Sequence, residues 1–293
     1  MIKRLLLACT GRPTGDFAGQ HAVSLATQHE AKISILPVAS GGAPHRPESS
    51  FSRPAAALSL TDSIDADSAS PATPADEQLE AQLQRIEARC HDAGVHCSRV
   101  SAGDRDVLTA LGDHWRYHDL LVIGLRSLRT TDLSADEVIV RLIRDGIRPI
   151  LAVPESRTAA RLDGLGRSNA ATAQRVLVAY DGSRESAKAM KRFVQLRLYP
   201  KASILLATFG KPESEARALL GAAAAYCHAW EISVETAVVP DPPTPGILRF
   251  AAQRECELVV VGDGFRNVFA RAVLGDTIST IVATAGRPIF LSH

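Results

Sequence analysis

The sequence predicts an α/β protein made of two tandem open five-stranded parallel-sheet domains with helices on both faces. Three observations point there. The chain repeats itself: Leu5-Leu-Leu-Ala-Cys-Thr-Gly11 matches Val176-Leu-Val-Ala-Tyr-Asp-Gly182 at an offset of 171, Asp119-Leu-Leu-Val-Ile-Gly124 matches Glu257-Leu-Val-Val-Val-Gly262 at 138, and Arg148-Pro-Ile matches Arg287-Pro-Ile at 139. Each half alternates apolar runs of four to six residues with amphipathic stretches, the mark of βαβ units around a sheet buried on both faces. Finally, 293 residues with 46% apolar and 22% charged side chains suffice for about two cores.

The strands of the first half are read at Arg4 to Cys9, Lys32 to Val38, Val95 to Ser101, Leu120 to Gly124 and Ile150 to Val153. Their counterparts are Arg175 to Tyr180, Ser203 to Thr208, Ser233 to Val239, Leu258 to Gly262 and Ile289 to Ser292. Between them, Leu79, Leu83, Ile86 and Cys90 form one helical stripe that ends at Gly94. Ala187, Met190, Val194 and Leu198 mark a second such face. Thr73-Pro74 and Thr244-Pro245 place a capping hydroxyl ahead of a proline at the first helical position, and Ser134-x-x-Glu137 reads as a capping box before Val138, Leu142 and Ile143.

The fall in offset from 171 to 138 requires 33 extra residues in the first half. They are visible as a Ser/Pro/Ala/Asp/Gly-rich insertion over 41–75, and a second polar stretch, 155–172, reads as a linker between a first domain at 1–154 and a second at 173–293.

Charge and cysteine content exclude several classes of partner. Thirty-three Lys and Arg against 32 Asp and Glu leave +1, too little for a general field to hold nucleic acid or an anionic membrane surface. The longest nearly apolar stretch, Leu219 to Cys227, is far shorter than the roughly 20 residues of a bilayer span. An odd count of five scattered cysteines argues for free thiols in a reducing cytoplasm. Cys90-His91 and His96-Cys97 match no usual zinc spacing.

Ligands of open parallel sheets settle beyond the carboxyl ends of the strands, against loops and helix N-termini. In the second half those turns read Tyr180-Asp181-Gly182-Ser183 and Gly262-Asp263-Gly264-Phe265, the latter running on to Leu274-Gly275-Asp276-Thr277. Glycine lets a backbone approach a phosphate, Thr277 offers a hydroxyl, and Asp181 can accept from an adenine amino group or a ribose hydroxyl.

The strand-turn Val-Ala-Tyr-Asp181-Gly182-Ser183, the strand Val259-Val260-Val261-Gly262, the helix opening Leu274-Gly275 and the terminal Arg287-Pro288-Ile289-Phe290 together resemble the universal stress protein family, as two tandem UspA-like copies. The resemblance implies a Rossmann-like, adenine nucleotide alpha hydrolase-like fold. It also implies a stress-response protein that binds ATP or AMP, with Mg²⁺ as companion, through Ala179, Tyr180, Asp181, Thr208, Gly262, Gly264, Gly275, Asp276 and Thr277. Many members carry Gly, two residues, Gly, nine residues, then Gly with Ser or Thr. Measured from Gly262, this chain has Phe265 at the second glycine with Gly264 adjacent, keeps Gly275, and has Asp276 before Thr277. A benzyl group there fills space, and a carboxylate at a helix start opposes phosphate while capping the same amides.

The first half departs further: Thr10 stands at the Asp181 position, no second glycine follows Gly124, and Asp136-Glu137 replace Gly-Ser. It reads as a structural partner. Since no Gly-x-Ser-x-Gly, His-Glu-x-x-His or P-loop motif occurs, a binding protein leads. An interaction scaffold with degenerate sites, contacting a protein partner, and a weak ATP hydrolase are the alternatives. The resemblance further implies pairing through the last strand of each copy, here within one chain as a pseudo-dimer; two chains could associate further as a homodimer. One unbroken sheet, or unrelated topologies in the two halves, would overturn the duplication reading.

Overall fold

The computed structural model describes residues 1–38, 74–103, 105–125, 127–128, 138–139, 141–142, 148–155, 175–262, 280–281 and 284–292. The proposed insertion, linker and capping box lie almost wholly outside these residues. Among the described residues ten strands are present: β1 (Arg4–Cys9), β2 (Lys32–Pro37), β3 (Cys97–Arg99), β4 (Leu120–Gly124) and β5 (Ile150–Val153), then β6 (Arg175–Ala179), β7 (Ser203–Phe209), β8 (Val234–Val239), β9 (Leu258–Gly262) and β10 (Ile289–Ser292). The helices described over their full length are α1 (Pro13–His29), α2 (Pro74–Asp92), α3 (Val107–Trp115), α4 (Arg184–Leu196), α5 (Glu213–His228) and α6 (Pro243–Gln253).

Within each half all pairings are parallel, and the order 3-2-1-4-5 of the first half is repeated in the second as 8-7-6-9-10. The halves meet where β5 and β10 pair antiparallel, Ile289 opposite Ala152, Phe290 opposite Leu151 and Leu291 opposite Ile150. At the 139-residue offset that relates the two Arg-Pro-Ile segments, Leu151 and Phe290 are equivalent positions, so a local twofold axis passes between them. The sheet is therefore one continuous ten-stranded sheet. The expectation that an unbroken sheet would overturn the duplication is thereby corrected, because antiparallel edge pairing of two identical topologies produces one.

Alternation along each strand divides the interior into two layers. Leu5, Leu7, Cys9, Ile33, Ile35, Val176, Val178 and Phe290 face the layer beneath α1, α2, α4 and α5. Leu6, Ala8, Leu36, Leu177, Ala179 and Leu291 face the layer that buries Leu111 and Trp115 of α3 and Ile247 and Ala251 of α6. Each layer runs across the β5–β10 seam, where Phe290 meets Phe193 of α4 edge to face with centroids 5.5 Å apart. On the same face His29 approaches the Leu198 carbonyl with Nε2 at 3.3 Å.

Three local readings change. Helix α4 stops at Leu196, because Arg197 adopts a left-handed conformation (φ 50°) and returns its N–H to Val194, leaving Leu198 buried beyond the helix. Strand β3 is shorter than its apolar run, since the Val95 N–H is used to close the end of α2 on the Cys90 carbonyl. Helix α6 begins at Pro243, two residues early, and is kinked at Thr244, whose extended backbone suits a cap but whose buried hydroxyl has no hydrogen-bond partner.

Truncating Phe290 to Ala removes a fully buried ring from the seam and is expected to cost about 3–5 kcal/mol, read as a lower urea midpoint. Burial also pushes His21, His29 and His118 below the ordinary imidazole value of 6.5. The unfolded chain thus takes up protons near that pH while the folded chain does not. Stability is complete above about pH 6.5 and is lost as pH falls below it. The urea midpoint should drop between about pH 7 and pH 5, and His118→Asn should shrink the drop, since the buried His118 Nε2 has no partner to receive a proton's charge.

Candidate functional site

The carboxyl ends of β6, β7 and β9 bring Tyr180, Asp181, Thr208 and Gly262 together, with Ala179 closing β6 beneath them. The β6–α4 turn is held by its own polar groups. Gly182 takes φ 80°, Asp181 Oδ1 accepts from the Ser183 N–H at 2.9 Å, and Ser183 Oγ accepts from the Ser186 N–H at 3.1 Å as the N-cap of α4. Asp181 is half-buried, and its second oxygen has no donor among the described residues. That oxygen and the start of α4 give the site an acceptor beside the positive end of a helix. Burial, helped by the Asp181 carboxylate, pushes the pKa of the Tyr180 hydroxyl up.

Two of the expected ligand positions already have structural work. Thr208 is fully buried and its hydroxyl donates to the Tyr180 carbonyl at 2.7 Å, fastening β7 to the turn. Gly262 lies directly under the first turn of α4: a Cβ there would fall 2.5 Å from the carbonyl carbon and oxygen of Glu185 and 2.7 Å from the Ser186 nitrogen. Gly124 has the same relation to Thr14 in the first half, at 2.8–2.9 Å. The glycine after the fourth strand of each copy thus admits the helix that follows the first. Gly264, Gly275, Asp276 and Thr277 lie outside the described residues, as do Phe265 and Arg266.

In the first half the equivalent turn is closed by a side chain that the sequence reading missed. Gln82 of α2 is 0% exposed; its Oε1 accepts from the Gly11 N–H at 3.1 Å and its Nε2 donates to the Arg12 carbonyl at 2.7 Å. The amide fills the space that a side chain at Gly15 would need. The signal was present, since Gln82 sits three residues after Leu79 on the apolar stripe of α2. The helix-closing bonds of Val95 to Cys90 and Ile232 to Cys227, with the registers of β3 and β8, relate α2 to α5 at an offset of 137, so Leu219 is the counterpart of Gln82; its side chain packs against Gly182 and offers the second turn no hydrogen-bonding group. Thr10 and Thr14, at the mouth of the first half, bury hydroxyls with no hydrogen-bond partner.

Residues 206–293 match the model of the universal stress protein family. The chain carries a universal stress protein domain. The match spans Thr208 and the whole Gly262-to-Thr277 stretch but begins after Asp181. Beyond it, the entire chain shares a fold with known structures. A universal stress protein from Archaeoglobus fulgidus DSM 4304 aligns over 99% of this chain and 95% of its own at 14% identity, with a TM-score of 0.61. A functionally unknown protein from Pseudomonas aeruginosa PAO1 aligns over 99% and 92% at 14% identity, with a TM-score of 0.60. A universal stress protein in complex with cAMP aligns over 42% of this chain and 98% of its own at 24% identity, with a TM-score of 0.37. No curated protein matches the chain. Among the described residues, no helix is long and apolar enough to cross a membrane, and no group of three His, Cys, Asp or Glu could hold a metal ion.

Gly262→Ala is expected to force α4 off the sheet and cost about 1–3 kcal/mol in chemical denaturation. Gly221→Ala is the control: it lies on α5 with open space around it and should be neutral or stabilising by about 0.5–1 kcal/mol.

Proposed function

We propose that the second half binds an adenine nucleotide, ATP or AMP, at the carboxyl ends of β6, β7 and β9, and that the protein serves as a cytoplasmic stress-response binding protein. The observation that carries this reading is the Asp181 carboxylate. One oxygen is tied to the turn and the other, beside the N-terminus of α4, has no donor among the described residues, an arrangement suited to an adenine amino group or a ribose hydroxyl. The described part of the crevice therefore fits the nucleoside. The phosphates are assigned to Gly264, Gly275 and Thr277, and Mg²⁺ enters as the ordinary companion of ATP with no protein ligand assigned. We further propose domains at 1–154 and 173–293, with nucleotide binding confined to the second; the Gln82 amide in the first half's turn supports that asymmetry. The cytoplasmic placement is supported by five free cysteines.

A second reading, an interaction scaffold, is favoured by Thr208 and Gly262, whose structural roles explain them without any ligand. Thermal unfolding separates the two. Ligand at a hundredfold its dissociation constant stabilises by about 2.7 kcal/mol, so ATP or AMP at millimolar concentration should raise the Tm by several degrees in the wild-type protein and not in Asp181→Ala. Absence of any shift with wild-type protein leaves the scaffold.

A further inference from the structure

We infer that Cys90 and Cys97 are a modification site, a thiol pair that a hydroperoxide converts reversibly into a disulfide. The argument starts from the direction of β3. Register places Cys97 beside Ile33 of β2, and Ile33 faces the layer that buries α2; Cys97 packs against that same layer. Arg99, two residues on and hence on the same face, confirms the direction: its guanidinium donates to Glu87 at 2.6 Å and to Glu80 at 2.8 Å, both on α2. Cys90 lies one turn of α2 beyond Glu87 and is fully buried against β1 and β2. The connection folds back at once, with Gly94 at φ 66° and the Val95 N–H on the Cys90 carbonyl at 2.8 Å. Both side chains therefore lie in the same layer between α2 and the sheet, one at the end of α2 and the other at the start of β3. A disulfide there requires the two sulfurs to close to about 2 Å.

The two thiols are unequal. Of the five cysteines, Cys9, Cys90, Cys227 and Cys256 are buried, whereas Cys97 is half-buried on the short edge strand. Cys97 is thus the more exposed residue of the pair. Its thiolate attacks the peroxide, the O–O bond breaks, and Cys97 becomes a sulfenic acid while one oxygen leaves as water, or as an alcohol from an organic hydroperoxide. The Cys90 sulfur then displaces the sulfenic hydroxyl, which departs as a second water carrying the Cys90 proton. One S–S bond has formed, and two electrons from the sulfur pair have reduced the peroxide. A dithiol reverses the step by exchange. Burial pushes the Cys90 thiol upward, so resolution is the slower half of the sequence.

Residues 90–99 form a single tryptic peptide, bounded by Arg89 and Arg99, so the full-length protein supplies its own assay. After hydrogen peroxide, unfolding and alkylation, that peptide is expected about two hydrogen masses lighter and without alkyl label, and to regain both labels after dithiothreitol. In Cys90→Ala the intermediate has no resolving partner, and dimedone should trap Cys97 as a sulfenic acid that the wild-type protein does not accumulate. Two alkyl labels on the peptide after peroxide, over-oxidation of Cys97 beside a labelled Cys90, or a Cys9–Cys90 link would each overturn the assignment. The wild-type peptide map alone decides the matter, whatever the stability of the variant.

Discussion

The antiparallel pairing of β5 with β10 is the contact on which the rest of the molecule depends. A five-stranded parallel sheet ending on an apolar strand leaves an open row of N–H and C=O groups that invites uncontrolled pairing. Here each copy closes the other's edge, and the register sets Leu151 opposite its own counterpart, Phe290. The two interior layers run through this seam, so neither half has a core that ends at the boundary. The exposed edges are displaced to β3 and β8, at the far ends of the sheet.

Duplication separates structural from functional residues. Gly124 and Gly262 are both overlain by the first turn of a helix, and Gly11 and Gly182 both take positive φ opposite a leucine. Features shared by both copies belong to the scaffold. The copies differ in the groups that a ligand would meet: Asp181, with one oxygen that no described residue engages, in one, and Thr10 and the Gln82 amide in the other. The second copy retains an acceptor where the first has spent its turn on itself.

The strands buried on both faces were legible from apolar runs, because they have almost no polar residue to blur them; the edge strands β3 and β8, with exposed Ser98, Arg99 and Glu235, were read at longer bounds than they have. Legibility failed where backbone geometry rather than side-chain pattern decides. Nothing in the apolar spacing of Met190, Val194 and Leu198 foretells that Arg197 will turn left-handed, and a proline that suits the first turn at 245 also suits position 243, where α6 starts. The site was half legible. Asp181 could be placed by its turn chemistry, while the prior engagement of Thr208 and Gly262 depends on neighbours from other elements that no local window contains. The sequence showed Cys90 and Cys97 only as an unmatched zinc spacing, since their shared layer depends on the register of β3 against β2.

Because the strands reverse direction across the seam, the mouths of the two copies open on opposite margins of the sheet, Gly124 beside Val153 on one and Gly262 beside Ser292 on the other. No single small molecule can be gripped by both. News of an occupied mouth would have to cross through the packed interior around Phe193 and Phe290 to reach the other copy, and it would arrive as a change of mechanical tension in a shared wall and not as a second set of contacts.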